Sequence, residues 1–99
     1  MESPYINTKD KYFYLHGIPF LPLNIRGNAV NCRIGLSRQL VFIPAIYFDR
    51  KTLKRNLNMS LEWFYNKPST QRKIELYKQE VASGSTRQIF IEEVNNETK

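Results

Sequence analysis

The chain has 99 residues and a formal net charge of +6, with 41% hydrophobic, 24% charged and 13% aromatic residues. This length allows one domain at most, with a small core, and the aromatic content excludes a chain that is disordered throughout. A single cysteine excludes an intrachain disulfide framework, and the longest apolar run, residues 40–48 across Pro44, is too short to span a bilayer as a helix.

The amino-terminal residues are polar and irregular. Residues 1–10 have no hydrophobic periodicity and no apolar signal segment, which predicts a flexible arm on a cytoplasmic protein without a membrane partner. Strand-forming side chains fill residues 11–15, the first predicted strand. Residues 18–25 read IPFLPLNI, and their two prolines predict an edge strand or an extended apolar loop, because proline lacks the N–H that a central strand donates.

Residues 29–34 alternate between apolar and polar side chains. Val30, Cys32 and Ile34 fall on one face and the polar residues fall on the other, which is typical of a half-buried strand. Cys32 is therefore expected to point into the core and to be chemically inert.

The next strand follows a short turn. Turn-forming residues occupy 35–38, and apolar residues follow at 40–43. The spacing predicts a hairpin with the preceding strand. Pro44 is expected to end this strand or to place a bulge in it, and residues 45–48 either resume the sheet or enter a loop.

Helical signals begin in the second half of the chain. Residues 49–58 are polar and basic, with Leu53 and Leu57 four positions apart, which predicts a short helical turn. Ser60 is the predicted N-cap of the next helix, in which Glu62 lies in the first turn.

A second, longer helix follows a proline. Lys67 precedes Pro68, so Lys67 is expected to leave the helical conformation, and Ser69 is the predicted N-cap of the new helix.

This second helix presents an apolar stripe. Ile74, Tyr77 and Val81 recur at i, i+3 and i+7, which predicts the face that packs on the sheet. Gly84 is the predicted stop, and residues 87–94 contain a last strand.

The order of these elements is β-β-β-(β)-α-α-β. Strands that precede helices indicate an α+β fold, here a small, mainly antiparallel sheet of four to five strands with one or two helices packed on one face. The single domain is expected to cover residues 11–94, and residues 95–99 are expected to form a frayed tail.

The sequence contains no constellation that is typical of catalysis or metal binding. His16 and Cys32 are each the only residue of their type, and no metal-ligand spacing or glycine-rich phosphate loop occurs. We therefore predict no catalytic residues, no metal and no cofactor, and we do not expect an enzyme.

Positive charge is concentrated in the middle of the chain. Between Arg26 and Lys78 there are eleven Lys or Arg residues and three Asp or Glu residues, a local net charge of +8. Such a segment attracts polyanions. A first cluster within residues 50–55 would contact phosphates if it were helical; the alternative is a solvated loop. Its members are Arg50, Lys51, Lys54 and Arg55.

A second basic cluster surrounds the start of the longer helix. Lys67, Arg72 and Lys73 lie next to the hydroxyls of Ser69 and Thr70. Backbone N–H groups at a helix start favour anions, so this cluster predicts a phosphate-binding position.

Two groups of aromatic residues accompany the charge. Trp63, Phe64 and Tyr65 cannot share one helical face, and we expect Trp63 or Phe64 to anchor the core and Tyr65 to face solvent. Tyr12 and Tyr14 share a face of the first strand, where they form either a surface pair able to stack on bases or a half-wet sheet edge.

Two functions are compatible with these features. The first is a small basic nucleic-acid-binding module that contacts phosphates through the central Lys/Arg-rich segment. The second is a protein-interaction module, an adaptor, inhibitor or homo-oligomer of the kind found as accessory proteins of phages and mobile elements, which would use the apolar residues 18–25. The predicted nucleic-acid site comprises Arg50, Lys51, Lys54, Arg55, Lys67, Arg72, Lys73 and Tyr65.

Overall fold

The computed structural model describes residues 12–84 of the chain. Its strands are β1 (Phe13–Leu15), β2 (Ile18–Arg26), β3 (Ala29–Ile34) and β4 (Leu40–Pro44). A single 3₁₀ turn (Ala45–Tyr47) follows, and then the helices α1 (Glu62–Tyr65) and α2 (Pro68–Ser83). The strands precede the helices, and the fold is of the α+β class that the sequence predicts.

The four strands form one antiparallel sheet in the order β1-β2-β3-β4. Each strand pairs with its neighbour in the chain, so every connection within the sheet is a hairpin. The predicted hairpin of β3 and β4 is confirmed, with Cys32 opposite Val41. Pro44 ends β4, as expected, and the 3₁₀ turn begins directly after it.

The prediction that residues 18–25 avoid the middle of the sheet is wrong. β2 pairs with β1 on one side and with β3 on the other. Pro19 can lie there because the Gly35 carbonyl, which faces it across the sheet, accepts hydrogen bonds from Arg33 Nε (3.1 Å) and the Tyr12 hydroxyl (3.4 Å) instead. The missing N–H therefore leaves no acceptor unpaired.

Pro22 is tolerated for a different reason. N–H directions alternate along a strand, which turns position 22 toward the side of β1. The pairing of β1 with β2 ends at the Phe13–Phe20 pair, two positions earlier. The register of β2 with β3 also shifts between Pro22 and Asn24, a local bulge of the kind that accommodates proline.

One face of the sheet carries the core. Phe20, Val30, Cys32, Ile34 and Ile43 have no exposed surface, which confirms the alternation predicted for β3. The covering layer comes from the helical half of the chain and buries Leu61, Phe64, Ile74 and Tyr77 against them. Burial of apolar surface at about 25 cal/mol per Å² is what holds the two layers together.

Residues 49–58 do not form the predicted helical turn. Phe48 and Arg55 form an isolated antiparallel bridge, and the chain between them makes a tight loop. The Asp49 carboxylate accepts the N–H groups of Lys51 and Thr52, and Leu53 adopts a left-handed conformation with φ of 61°. These hydrogen bonds from the backbone to the Asp49 side chain stabilise the loop in place of a helical turn.

The long helix begins earlier than predicted. Lys67 is extended, with ψ of 139°, as the following proline requires, but Lys67 and not Ser69 is the N-cap. Pro68 occupies the first helical position, where its fixed φ is favourable and its missing N–H costs nothing. The N-cap of α1 is likewise Leu61 and not the predicted Ser60, although the Ser60 hydroxyl does accept the Glu62 N–H.

Two features fix α2 on the sheet. Ile74 and Tyr77 are buried and Val81 packs at the margin of the core, as the stripe predicts. The Glu80 carboxylate accepts hydrogen bonds from the Arg38 backbone N–H and from Gln39 Nε2 on the β3–β4 turn. Gly84, in the left-handed conformation with φ of 83°, ends the helix as expected.

Several predictions fall outside residues 12–84. These are the arm at residues 1–10, the last strand at residues 87–94 and the tail at residues 95–99. Within the described part of the chain, the helices are too short or too polar to cross a membrane.

Candidate nucleic-acid interface

The first basic cluster lies on the loop that Asp49 organises. Arg50, Lys51 and Lys54 are all exposed. The backbone N–H groups of Thr52 and Lys51 hold the pKa of the Asp49 carboxyl below its ordinary value. The one carboxylate of the loop is thus engaged with its own backbone, and three cations project from a fixed turn.

Arg55, the fourth predicted member, points the other way. Its guanidinium donates from Nη2 to the Met59 carbonyl at 3.0 Å and lies 5.8 Å from the centre of the Phe13 ring. Its Nε is buried and has no hydrogen-bond partner within residues 12–84. Arg55 therefore tethers the loop to the core.

The second basic cluster borders a groove between β4 and the start of α2. The groove has a volume of about 250 Å³, and Lys67 and Lys73 lie on it together with Ser69 and Thr70. Its apolar wall is formed by Leu40, Val41, Phe42 and Phe64. Arg72 is exposed but does not line the groove.

Trp63, and not Tyr65, is the outward aromatic ring of α1, which corrects the prediction. Trp63 is 45% exposed, whereas Phe64 is 3% exposed and packs edge-on against Phe20 at 6.0 Å. Tyr65 is half-buried because it packs beside the core and its ring lies 4.2 Å from that of His16.

His16 also pairs with the acid that precedes Trp63. His16 Nε2 lies 2.7 Å from Glu62 Oε2, so the β1–β2 turn contacts α1. Both side chains are about half exposed. The Glu62 carboxylate therefore pairs with His16 on the β1–β2 turn, although Glu62 is the sequence neighbour of Trp63.

Trp63 links Lys67 of the second cluster to the base of the loop that carries the first cluster. Its Nε1 donates to the Tyr47 hydroxyl at 2.9 Å, and the Lys67 ammonium lies 5.8 Å from the centre of its ring. The Tyr47 carbonyl accepts the Asn56 N–H at 2.8 Å, next to the bridge that closes the basic loop. A series of contacts thus runs from Asn56, at the base of the loop that carries the first cluster, through Tyr47 and Trp63 to Lys67.

Sequence reasoning missed this connection. Trp63 lies in α1, whereas Lys67 lies after the end of α1 in an extended conformation, so helical spacing does not predict their contact. Tyr47 lies sixteen positions from Trp63, and no local signal relates the two residues.

Tyr12 and Tyr14, at the start of the sheet, do not form a surface pair. Tyr12 is 7% exposed and reaches the Gly35 carbonyl, while Tyr14 is half-buried. Of the two alternatives for Tyr12 and Tyr14, the surface pair able to stack on bases is therefore wrong.

Cys32 lies in the core with no exposed surface, as predicted. Burial raises the pKa of its thiol from 9.0 to about 12. Within residues 12–84, His, Cys, Asp and Glu side chains nowhere gather in a group of three or more that could hold a metal ion.

We expect the Cys32 thiol to react with Ellman's reagent at least about 100-fold more slowly in the folded protein at pH 8 than in urea, because the thiolate is the nucleophile. The unfolded chain loses this proton near pH 9 and the folded chain near pH 12, so the free energy of unfolding should fall as the pH rises between these values. Equal reaction rates in the folded and unfolded states would contradict the burial.

Comparison of the chain with protein-family models, with curated proteins and with solved structures gives no match.

Proposed function

We propose that the protein binds nucleic acid through a surface formed by two basic clusters and the Trp63 ring between them. The observation that carries the proposal is the series of contacts from the basic loop through Tyr47 and Trp63 to Lys67. Aromatic rings interleaved with cations are the combination that nucleic-acid surfaces use. We call this surface the Trp63 surface; its cations are Arg50, Lys51, Lys54, Lys67, Arg72 and Lys73.

Two predicted site residues change role in this proposal. Arg55 is engaged with Met59 and Phe13, so its charge serves the fold. Tyr65 packs against His16 and gives way to Trp63 as the aromatic contact.

Binding that relies on phosphate contacts weakens as the salt concentration rises, and the steepness of this dependence reports how many phosphates are contacted. Each neutralised phosphate adds about 0.7 to 0.9 to the slope of log K against log salt. We therefore expect a slope of up to roughly 4 to 5 when all six cations contact phosphates.

The test compares double variants that each remove two positive charges. Fluorescence anisotropy of a labelled oligonucleotide is measured between about 50 and 200 mM salt. We expect Lys67→Ala/Lys73→Ala and Arg50→Ala/Lys54→Ala each to lower the slope by about 1.5 and to weaken binding by about tenfold or more.

The matched control is Arg38→Ala/Lys78→Ala, which removes the same charge from exposed positions near the carboxyl-terminal half of α2. This variant should lower the slope by less than about 0.5. Absence of saturable binding at low salt, or equal losses in all three variants, would refute the proposal.

A second candidate, a protein-interaction module, is favoured by a different observation. Residues 18–25, which first suggested it, are now a core strand, but β4 exposes 58% of Phe42 and 38% of Leu40. Within residues 12–84, β4 has no strand on its outer side, and such an edge can accept a partner strand. Light scattering should then show an oligomer or a co-purifying partner that Phe42→Ser dissociates; a strict monomer without a partner argues against it.

A further inference from the structure

We infer that the nucleic acid is single-stranded and that one of its bases stacks on Trp63. The inference rests on the proposed function and adds the class of nucleic acid. A flat aromatic ring offers every base a face to stack on, but only an unpaired base can leave its own stack to use it.

The Trp63 ring is exposed although the fold does not need it at the surface. The neighbouring Phe64 already supplies the core contact of α1, with 3% of its surface exposed. An indole with 45% exposure leaves a large apolar surface in water, which is unfavourable for the isolated chain.

The ring is also held in one orientation. Its Nε1 is hydrogen-bonded to the Tyr47 hydroxyl, and the rings of Tyr47 and Phe64 lie 5.9 and 6.1 Å from it. A ring that is already fixed loses little conformational entropy when a base stacks on it. The Trp63 ring is therefore preorganised for stacking, unlike an exposed side chain that samples several rotamers.

Cations lie where the backbone of a stacked strand would pass. The Lys67 ammonium lies over the Trp63 ring, 5.8 Å from its centre, and Lys67 and Lys73 both border the groove between β4 and the start of α2. A strand whose base stacks on Trp63 can therefore place an adjacent phosphate near Lys67 and the next one near Lys73 at the groove.

The described surface is poorly suited to reading a duplex. α2 is the one described helix long enough to enter a major groove, but Glu75 and Leu76 are exposed on it next to Arg72. A carboxylate on the leading face of such a helix would be repelled by the phosphates. Single-strand binding uses the Trp63 ring, whereas duplex binding would leave it without a partner.

The experiment uses the fact that Trp63 is the only tryptophan of the chain, so that tryptophan emission reports on this residue alone. The full chain is titrated with a single-stranded oligonucleotide and with the duplex of the same sequence, at low salt. We expect emission to be quenched by the single strand and to change little with the duplex.

Variants then test the ring by anisotropy of labelled oligonucleotides. Trp63→Leu should weaken single-strand binding by about 5- to 150-fold, the range for one lost stacked base, and duplex binding by less than about twofold. Trp63→Phe should recover most of the loss. Leu76→Ala, an apolar residue of similar exposure (43%), is the matched control and should change neither affinity. Thermal unfolding of each variant verifies that it remains folded.

The outcomes separate the two proposals. If neither the single strand nor the duplex binds, the proposed function fails and this inference with it. If both bind equally well without quenching, or Trp63→Leu weakens both equally, the protein binds nucleic acid but Trp63 is not a base platform, and the inference alone is overturned.

Discussion

Replacing Phe20 with alanine is expected to reduce the free energy of unfolding by about 4 kcal/mol, the middle of the range for a fully buried phenylalanine. Phe20 has no exposed surface and lies where three strands meet, opposite Phe13 in β1 and Ile34 in β3. Its ring stacks on Phe13 at 5.4 Å and meets Phe64 of α1 edge-on. One truncation therefore loosens both layers of the domain.

Urea unfolding monitored by circular dichroism measures this loss. A domain of this size has a total stability of about 5 to 15 kcal/mol, so Phe20→Ala can leave little folded protein. Phe20→Leu retains most of the volume and should cost about 1.5 kcal/mol or less. Phe42→Ala removes the same ring from the outer face of the same sheet, where 58% of it is exposed, and should cost less than about 1 kcal/mol. Equal losses for Phe20→Ala and Phe42→Ala would contradict the assignment of the core face.

Replacing Gly35 with alanine is expected to cost about 3 kcal/mol, from two independent causes. Gly35 has a φ of +57°, where any other L-residue is strained by about 1 kcal/mol. A Cβ atom there would also lie 2.7 Å from Cε1 of Tyr77. The Tyr77 ring is 3% exposed and packed against the core, so it cannot move aside cheaply, and overpacking of this kind costs about 1 to 3 kcal/mol.

A second glycine separates the two causes. Gly27 has a similar φ of +64°, but nothing lies within 4 Å of the position of its Cβ. Gly27→Ala should therefore show only the backbone cost of about 1 kcal/mol. In a double-mutant cycle, Tyr77→Leu should recover part of the additional loss in Gly35→Ala, because it removes the clashing ring. Equal losses of unfolding free energy in Gly27→Ala and Gly35→Ala would contradict the close packing of Tyr77 of α2 against Gly35 in the β3–β4 turn.

Local periodicity in the sequence predicts much of this fold. The alternation in β3 and the stripe of α2 each place several side chains on one face, and the burial of Cys32, Ile74 and Tyr77 follows from it. The extended conformation of Lys67 and the end of α2 at Gly84 follow equally from the chemistry of single residues.

The wrong predictions for residues 18–25 and for the outward ring of α1 share a physical cause, which is that contacts with residues distant in sequence decide the outcome. Pro19 is accepted in a central strand because the Gly35 carbonyl has other donors, and neither proline rules nor propensities contain that information. The Trp63 surface is a similar case. Phe20 and His16, which lie outside α1, pack against Phe64 and Tyr65 and so leave Trp63 facing outward. The hydrogen bond of Trp63 to Tyr47 depends on how the basic loop closes.

The hairpin order of the sheet has a consequence for how the protein is made. A ribosome adds the four strands described within residues 12–84 before it adds any residue of α1 or α2, so Val30, Ile34 and Ile43 are synthesised before the side chains that cover them. At ordinary translation rates, the roughly 33 residues from Pro44 to Tyr77 take about 2 to 7 s to synthesise. During that interval the apolar side chains of the strands lack their cover, and transiently exposed apolar surface of this kind favours aggregation until the helices follow.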